Sequence, residues 1–311
     1  MSQTVIAAII QAAPVYYDLP ATMDKATTLI QQAASQGAQV IVFGETWFPG
    51  YPIWLDTCRD VALWNHAPTK QVFERLYRNS LTIPGPEVDQ LSRLAKQHQV
   101  VLVLSINERL ALGAGAGTLY NTLITINADG QLVNHHRKLV PTYTERMVWG
   151  PGDAAGLQAV DTAVGRVGGL ICWEHWMPLA RHAMHSSGEQ IHISVFPTVH
   201  EMHQVASRQY AFEGRTFVLT AGGLATAADL PAEFERTPDL QAKPEIFVQR
   251  GGSAIIAPDG RYLAGPVYEQ ETILVAELDL GEIIRESMTL DVTGHYARPD
   301  IFDLTIQRQR R

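Results

Sequence analysis

Arg166-Val167-Gly168-Gly169-Leu170-Ile171-Cys172-Trp173-Glu174-His175 is a short apolar run with two glycines that ends on a thiol and turns at once into helix-like sequence. An apolar run of this length without polar alternation predicts a strand, Arg166–Ile171, covered on both faces. Similar β-branched runs recur along the chain. Strands are expected over Val5–Ala12, Gln39–Gly44, Val100–Asn107, Asn121–Asn127, Leu132–His136, Ile191–Phe196, Phe217–Ala221, Ser253–Ala257 and Ile273–Asp279. Helical patterns alternate with them at Thr22–Ser35, Lys70–Arg78, Glu87–Gln97, Met177–Ser186, Met202–Glu213 and Gly281–Ser287. Pro84-Gly85-Pro86 stands just before one of these helices, and Gly37 closes another. Ala128-Asp129-Gly130 and Pro258-Asp259-Gly260 each separate two apolar runs and predict hairpins. Hairpins argue against a purely parallel sheet, so the chain reads as a layered α/β fold with mixed sheets.

Nothing in the 311 residues forces a domain boundary, and 1–311 is read as one domain. At 46% hydrophobic and 18% charged residues, the chain can build a sizeable core and lacks the composition of a disordered segment. A formal net charge of −8 argues against nucleic acid or an anionic membrane surface as partner. The two basic pieces, His135-His136-Arg137-Lys138 and Arg308 to Arg311, are short, and the second reads as a solvated end. No run approaches the ~18 apolar residues of a membrane span. No Lys or Arg precedes the apolar run Val5–Ile10, as a secretory signal would require. The two cysteines, Cys58 and Cys172, read as reduced thiols of a cytoplasmic protein, because a chain of this size needs no disulfide staple. Ala225–Glu245 carries Pro231, Pro238 and Pro244 without periodicity, and is expected to be a long surface loop that is a candidate cover for an active site.

Several polar residues stand where chemistry is done. Cys172 ends a buried strand next to the first amides of a helix, a setting that favours a thiolate, although a free cysteine is also ordinary core. Cys58 has no such setting and reads as structural. Glu45 leaves the run Val40-Ile41-Val42-Phe43-Gly44 at its carboxyl end and opens the aromatic loop Thr46-Trp47-Phe48-Pro49-Gly50-Tyr51-Pro52. Ligand sites of open α/β sheets lie at such strand ends. Apolar surroundings would raise its pKa and suit it to moving protons, while an exposed loop glutamate is the plain alternative. Lys138 reads locally as a solvent-exposed basic strand end; within a site it would stabilise a developing anion. Glu145 either anchors that lysine or pairs with Arg146 at the surface. His182 with His185, and His200 with His203, have a spacing that zinc can use, but lack a third ligand of fitting spacing, so no metal is expected. His175 is read as a residue in or behind a pocket, and Glu213 with Arg215 as an internal ion pair.

Three segments, Phe43-Gly44-Glu45-Thr46, His136-Arg137-Lys138-Leu139-Val140-Pro141-Thr142-Tyr143-Thr144-Glu145-Arg146 and Gly169-Leu170-Ile171-Cys172-Trp173-Glu174-His175, resemble the carbon–nitrogen hydrolase superfamily and, within it, the nitrilase branch. Trp149-Gly150-Pro151-Gly152-Asp153 and Gly294-His295-Tyr296-Ala297-Arg298-Pro299-Asp300 are similar to further nitrilase signatures. The likeness runs in order from about residue 5 to 302. It implies a four-layer α-β-β-α sandwich in which Glu45, Lys138 and Cys172 are catalytic, Glu145 is a supporting carboxylate and no cofactor takes part. The implied reaction converts a small-molecule nitrile to the carboxylic acid and ammonia through a thioimidate and a thioester on Cys172. Glu45 would be the general acid and base, and Lys138 would stabilise the transition state. An amidase or carbamoyl hydrolase would use the same residues; a non-catalytic binding protein on this scaffold would be expected to have lost one of them. Tyr51, Thr142, Trp149, Trp173, His175 and Pro197 are carried over as substrate-binding residues, suited to an apolar or aromatic nitrile. The resemblance also implies homodimers through the helical face, or larger homo-oligomers, with the chain from about 290 as a contact extension. The departure lies at Thr198-Val199-His200-Glu201-Met202-His203, which enters the next helix sooner than in many nitrilases and belongs to a region that helps line the acyl pocket.

Overall fold

The computed structural model describes residues 3–310. Among the described residues the chain forms two mixed sheets. The first contains β1 (Thr4–Gln11), β2 (Val40–Phe43), β3 (Val101–Arg109), β4 (Leu119–Ile126), β5 (Leu132–Arg137) and β13 (Thr272–Asp279), in the order β13-β1-β2-β3-β4-β5. The second contains β6 (Val160–Thr162), β7 (Gly165–Ile171), β8 (Ile191–Phe196), β9 (Phe217–Gly222), β10 (Leu224–Thr226), β11 (Phe247–Ile256) and β12 (Tyr262–Tyr268), in the order β10-β11-β9-β8-β7-β6 with β12 paired to β11. Each sheet has a parallel centre, β1-β2-β3 in one and β7-β8-β9 in the other, and antiparallel strands on both sides.

The apolar runs carry no polar alternation because each strand is covered twice. Val40 and Val42 point into the core between the sheets, together with Val167, Ile171, Ile193 and Leu219. Ile41 and Phe43 point the other way, against α1 (Leu19–Ser35) and α4 (Pro86–His98). On the far side, α5 (Pro178–His185) and α6 (Glu201–Gly214) cover the second sheet around Leu170, Met184 and Tyr210. The result is the four-layer α-β-β-α sandwich. Gly169 permits the sheets to approach, since a Cβ there would stand 2.6 Å from Leu123. The remaining helices, α2 (Trp54–Thr57), α3 (Ala67–Arg78), α7 (Pro238–Ala242) and α8 (Gly281–Ser287), lie outside these layers. Among the described residues no helix is long and apolar enough to cross a membrane.

Several expectations change on contact with the structure. α1 begins at Leu19, ahead of Thr22, because Asp18 caps it by accepting from the Ala21 N–H at 3.0 Å. β11 starts at Phe247 instead of Ser253; its alternation is hidden by Gly251 and Gly252, both at positive φ where the ladder bulges. The segment 225–245 lies at the surface only in part: it carries the end of β10 and α7, and 241–245 are exposed, but Phe234 is buried with its ring stacked on Trp54 at 5.0 Å. Glu213 and Arg215 do not pair. Arg215 caps α6 in the left-handed conformation, and its guanidinium goes to Glu286 at 3.6 Å while Glu213 meets Arg181 at 3.1 Å. The basic tail is not simply solvated, since Arg310 lies 3.3 Å from Asp153; Arg311 lies outside the described residues.

Candidate active site

Strands of the two sheets deliver the key groups at their carboxyl ends. Glu45 follows β2, Cys172 follows β7 directly, and Lys138 follows β5. The turns that receive them are strained: Cys172 has φ 53°, Thr46 44° and Tyr143 42°. A left-handed non-glycine residue costs roughly 1–2 kcal/mol, and such strain collects where surrounding structure fixes a functional group. Cys172 sits at the first position of a short 3-10 turn, Cys172–Trp176.

The three residues, far apart in sequence, converge. Lys138 Nζ donates to Glu45 Oε1 at 3.0 Å and to Glu145 Oε2 at 2.7 Å. A carboxylate oxygen from each glutamate and the Cys172 sulfur all lie within 4.8 Å of one another. Those three groups could ligate a metal ion, but the Lys138 ammonium already bridges the two carboxylates. Glu145 is held from further directions, by the Tyr51 hydroxyl at 2.9 Å and the Thr142 N–H at 2.7 Å. Of its two readings, anchor of Lys138 or surface partner of Arg146, the structure shows the first. Lys138, read locally as an exposed strand end, is 1% exposed.

Burial decides the electrostatics. It pushes the Glu45 carboxyl up to about 7, helped by the charge of Glu145 and opposed by the Lys138 ammonium. Burial alone would lower Lys138, but the charges of Glu45, Cys172 and Glu145 outweigh it and hold the ammonium above its ordinary value. Cys172 goes the other way from the expected thiolate. Burial and the charge of Glu45 push its thiol well up, against Lys138 and the Trp173 N–H. The resting site therefore holds a thiol next to a carboxylate that can take its proton. Glu45 is equipped for that: Oε1 accepts from both Lys138 and Asn121, the latter at 2.7 Å, while Oε2 has no hydrogen-bond partner among the described residues.

A cavity of about 450 Å³ opens above Cys172. Tyr51, Thr142, Trp173 and Pro197 line it, as do Ile53, Asp56, Thr198, His200, His203 and Gln249. Trp149 and His175 do not. Trp149 is buried behind Tyr51, edge-on to its ring, with its indole N–H donating to Asn107 at 2.9 Å. His175 lies beneath Cys172 and meets that residue's carbonyl oxygen at 2.7 Å. The pair His200 and His203 serves the start of α6, where His203 Nδ1 accepts from the His200 N–H at 3.1 Å.

Sequence reading passed over two residues. Asn121, in β4, orients Glu45. Glu174 ties the strand ends together: its carboxylate accepts from the Leu139 N–H at 2.8 Å and the Ile171 N–H at 2.7 Å, and pairs with His136 at 3.0 Å. One buried carboxylate thus joins the backbone beside Lys138 to the backbone beside Cys172. Its signal was its place inside the cysteine motif.

Comparison with known proteins assigns the chain a family and supports its fold. Residues 6–285 match the family described as carbon-nitrogen hydrolase. A bifunctional nitrilase/nitrile hydratase of Nicotiana tabacum is 40% identical over 309 residues, covering 98% of this chain and 86% of the relative. Nitrilase 2 of Arabidopsis thaliana is 36% identical over 313 residues, covering 98% and 89%. Among solved structures, Nit3 of Saccharomyces cerevisiae, a member of branch 10 of the nitrilase superfamily, superposes with a TM-score of 0.71 at 22% identity over 95% of this chain and 97% of that one. A carbon-nitrogen hydrolase from Helicobacter pylori gives 0.69 at 20% identity over 92% and 93%; both likenesses support the fold. With its whole core matched and relatives near 40% identity spanning almost its full length, the chain belongs to the carbon-nitrogen hydrolase family.

Proposed function

We propose that this enzyme is a nitrilase that hydrolyses a small-molecule nitrile to the carboxylic acid and ammonia. The observation that carries it is the convergence of a thiol, an ammonium and a carboxylate with an unpartnered oxygen at the floor of one cavity. Relatives bearing nitrilase names at 36–40% identity select the nitrile among carbon–nitrogen substrates. Glu45 takes the Cys172 proton as the sulfur adds to the nitrile carbon. The negative charge that grows on nitrogen is met by the Lys138 ammonium and the Trp173 N–H, and Glu45 returns the proton to give a thioimidate. Glu45 then takes a proton from water as it adds to that carbon. Both protons of that water pass to nitrogen, one on addition and the hydroxyl's own as the C–N bond breaks, so ammonia leaves and a thioester carbonyl remains. A second water cleaves the C–S bond, frees the acid and restores the thiol. Proton transfer of this kind contributes about 10²–10⁴-fold. Glu145, tied to Lys138, Tyr51 and the Thr142 N–H, holds the ammonium in place.

If the C–S bond breaks before the C–N bond, the product is an amide. The name of the Nicotiana relative, which includes nitrile hydratase, makes this branch worth measuring. The cavity volume and the Tyr51 and Trp173 rings suit a compact apolar or aromatic nitrile. A panel of aliphatic, aromatic and arylaceto nitriles with their amides, assayed for ammonia, acid and amide, tests the reading. Wild type is expected to release ammonia from at least one nitrile, and Cys172→Ala from none. Faster turnover of every paired amide would assign an amidase instead.

Two further readings belong to this proposal. The enzyme assembles as a homodimer or larger homo-oligomer through the face of α5 and the chain after residue 290. That face exposes Leu179 (69%) and Phe302 (76%), and large exposed apolar side chains of this kind favour association. A monomer in sedimentation velocity would end that reading. Both cysteines are unpaired and buried, which suits the reducing cytoplasm; oxidised Cys58 or Cys172 in protein taken from cells would oppose it.

A further inference from the structure

Beneath Cys172 runs a second buried polar chain that the hydrolysis above leaves unused. His175 Nδ1 meets the Cys172 carbonyl oxygen at 2.7 Å, His175 Nε2 meets His192 Nε2 at 3.0 Å, and His192 Nδ1 meets Glu189 Oε2 at 2.8 Å. The Tyr210 hydroxyl donates to the other oxygen of Glu189, and His185 Nδ1 lies 3.2 Å from it. All five side chains are buried, and Tyr210 stacks on His192 with ring centroids 3.7 Å apart. The strand leading to Cys172 is shaped around this chain: a Cβ at Gly168 would stand 2.5 Å from Glu189 Oε2.

Its protons can be counted from both ends. A carbonyl only accepts, so His175 donates from Nδ1. Burial, with His192 beside it, holds His175 well below the ordinary imidazole range. The ring is therefore neutral, its Nε2 accepts, and His192 must donate from Nε2. Burial alone would push Glu189 up, but His192 and His185 hold it well below the usual carboxylate range. It too only accepts, and His192 Nδ1 faces it at 2.8 Å. Buried hydrogen bonds thus run unbroken from Glu189 through both rings to the Cys172 oxygen. A trans peptide is planar, with its C=O and N–H opposed. Gripping the Cys172 oxygen from below turns the Trp173 N–H upward, where it donates to the Cys172 sulfur.

We propose that His175, backed by His192 and Glu189, is a positioning residue that aims the Trp173 N–H at the anion formed during hydrolysis and polarises it. His175 acts through one peptide unit and does not line the substrate cavity. The proposal rests on the reading of Cys172 as the nucleophile of a hydrolase.

Two variants test it. His175→Phe keeps a ring but removes the donor; kcat should fall about 100-fold, the scale of losing one oxyanion donor, with KM within threefold. Alkylation of Cys172 by iodoacetamide builds no such anion and uses the N–H only at the sulfur, so it should slow by less than tenfold. Glu189→Gln preserves size but removes the charge and turns one of the two acceptor oxygens into a donor, and kcat should fall about tenfold. Magic-angle-spinning NMR of ¹⁵N-histidine protein should show, for the ring whose signals His175→Phe removes, a proton on Nδ1 and none on Nε2. An unchanged kcat in either variant, or a His175 ring without a proton on Nδ1 in wild type, overturns the proposal. The NMR and alkylation readouts need no substrate, so a wild type that failed to hydrolyse nitriles and amides would sink the nitrilase reading separately.

Discussion

Arg137 and Lys138 are neighbours at the end of β5, and each meets a buried carboxylate, with opposite consequences. Arg137 meets Glu108, which also accepts from Thr122 at 2.7 Å and pairs with His135 at 2.8 Å. Burial pushes that carboxyl up, but hydrogen bonds from His135 and Arg137 take it down to about 2. Lys138 meets Glu45, whose Oε1 collects Lys138 and Asn121 while Oε2 goes without. There burial prevails and the carboxyl rises to about 7. Both glutamates are almost wholly buried and each faces a cation. The donors turned toward each carboxylate, with the second negative charge of Glu145 beside Glu45, separate a carboxyl held as an anion from one poised near neutrality.

The contrast is tested most severely at Glu45. Glu45→Gln preserves the shape and the Asn121 contact but cannot exchange protons, so kcat should drop about 10³-fold or more, within the upper range for general acid–base catalysis. Steady-state ammonia release measures it, and a loss under tenfold would remove Glu45 from the proton path. The same carboxyl sets a pH limb. Glu45 must be ionised to accept the thiol proton, so kcat/KM should fall about tenfold per pH unit below pH ~7. A limb near the unperturbed 4.5 would mean that Glu45 is no more poised than an exposed glutamate.

How far these roles were legible depends on how locally they are encoded. β8 and α8 have the bounds the sequence predicts, because double coverage and helical patterning write themselves into consecutive residues. The basic run His135–Lys138 misled for the opposite reason. Composition reads it as solvated, yet the acids that absorb it, Glu108, Glu174, Glu45 and Glu145, are brought in mostly from other segments. Glu45, Lys138 and Cys172 were singled out by motif, but only folding shows that Cys172 rests as a thiol. Trp149 and His175 adjoin motif residues in sequence and lie behind them in space. Chain neighbours of a site residue face away from it as readily as toward it.

Glu174 probes the frame on which the contrast is mounted. Glu174→Gln replaces one acceptor oxygen with an N–H₂ that must face a donor, either the Ile171 N–H or the Leu139 N–H. The strand ends carrying Cys172 and Lys138 should shift by a fraction of an ångström. Since a 1 Å misplacement costs about 10²-fold, a loss of roughly tenfold in kcat is expected, with KM changed less. Unaltered kinetics would show that the two strand ends hold their spacing without this carboxylate.

Glu108→Gln should have the smallest effect on turnover and a large one on stability. Lowering a carboxyl from 4.5 to about 2 corresponds to about 3 kcal/mol at neutral pH. Because the folded-state pKa is depressed, that stability is fully present above pH ~4.5 and is lost as the pH falls toward ~2. Urea unfolding at pH 7 should therefore separate variant from wild type by a few kcal/mol, and the gap should narrow at pH 3. kcat should remain within about twofold, since Arg137 turns to Glu108 and only Lys138 turns to the site. If Glu108→Gln instead cut kcat tenfold at full folding, the adjacent cations would belong to one electrostatic unit, and the donor count on each carboxylate would no longer divide structure from catalysis.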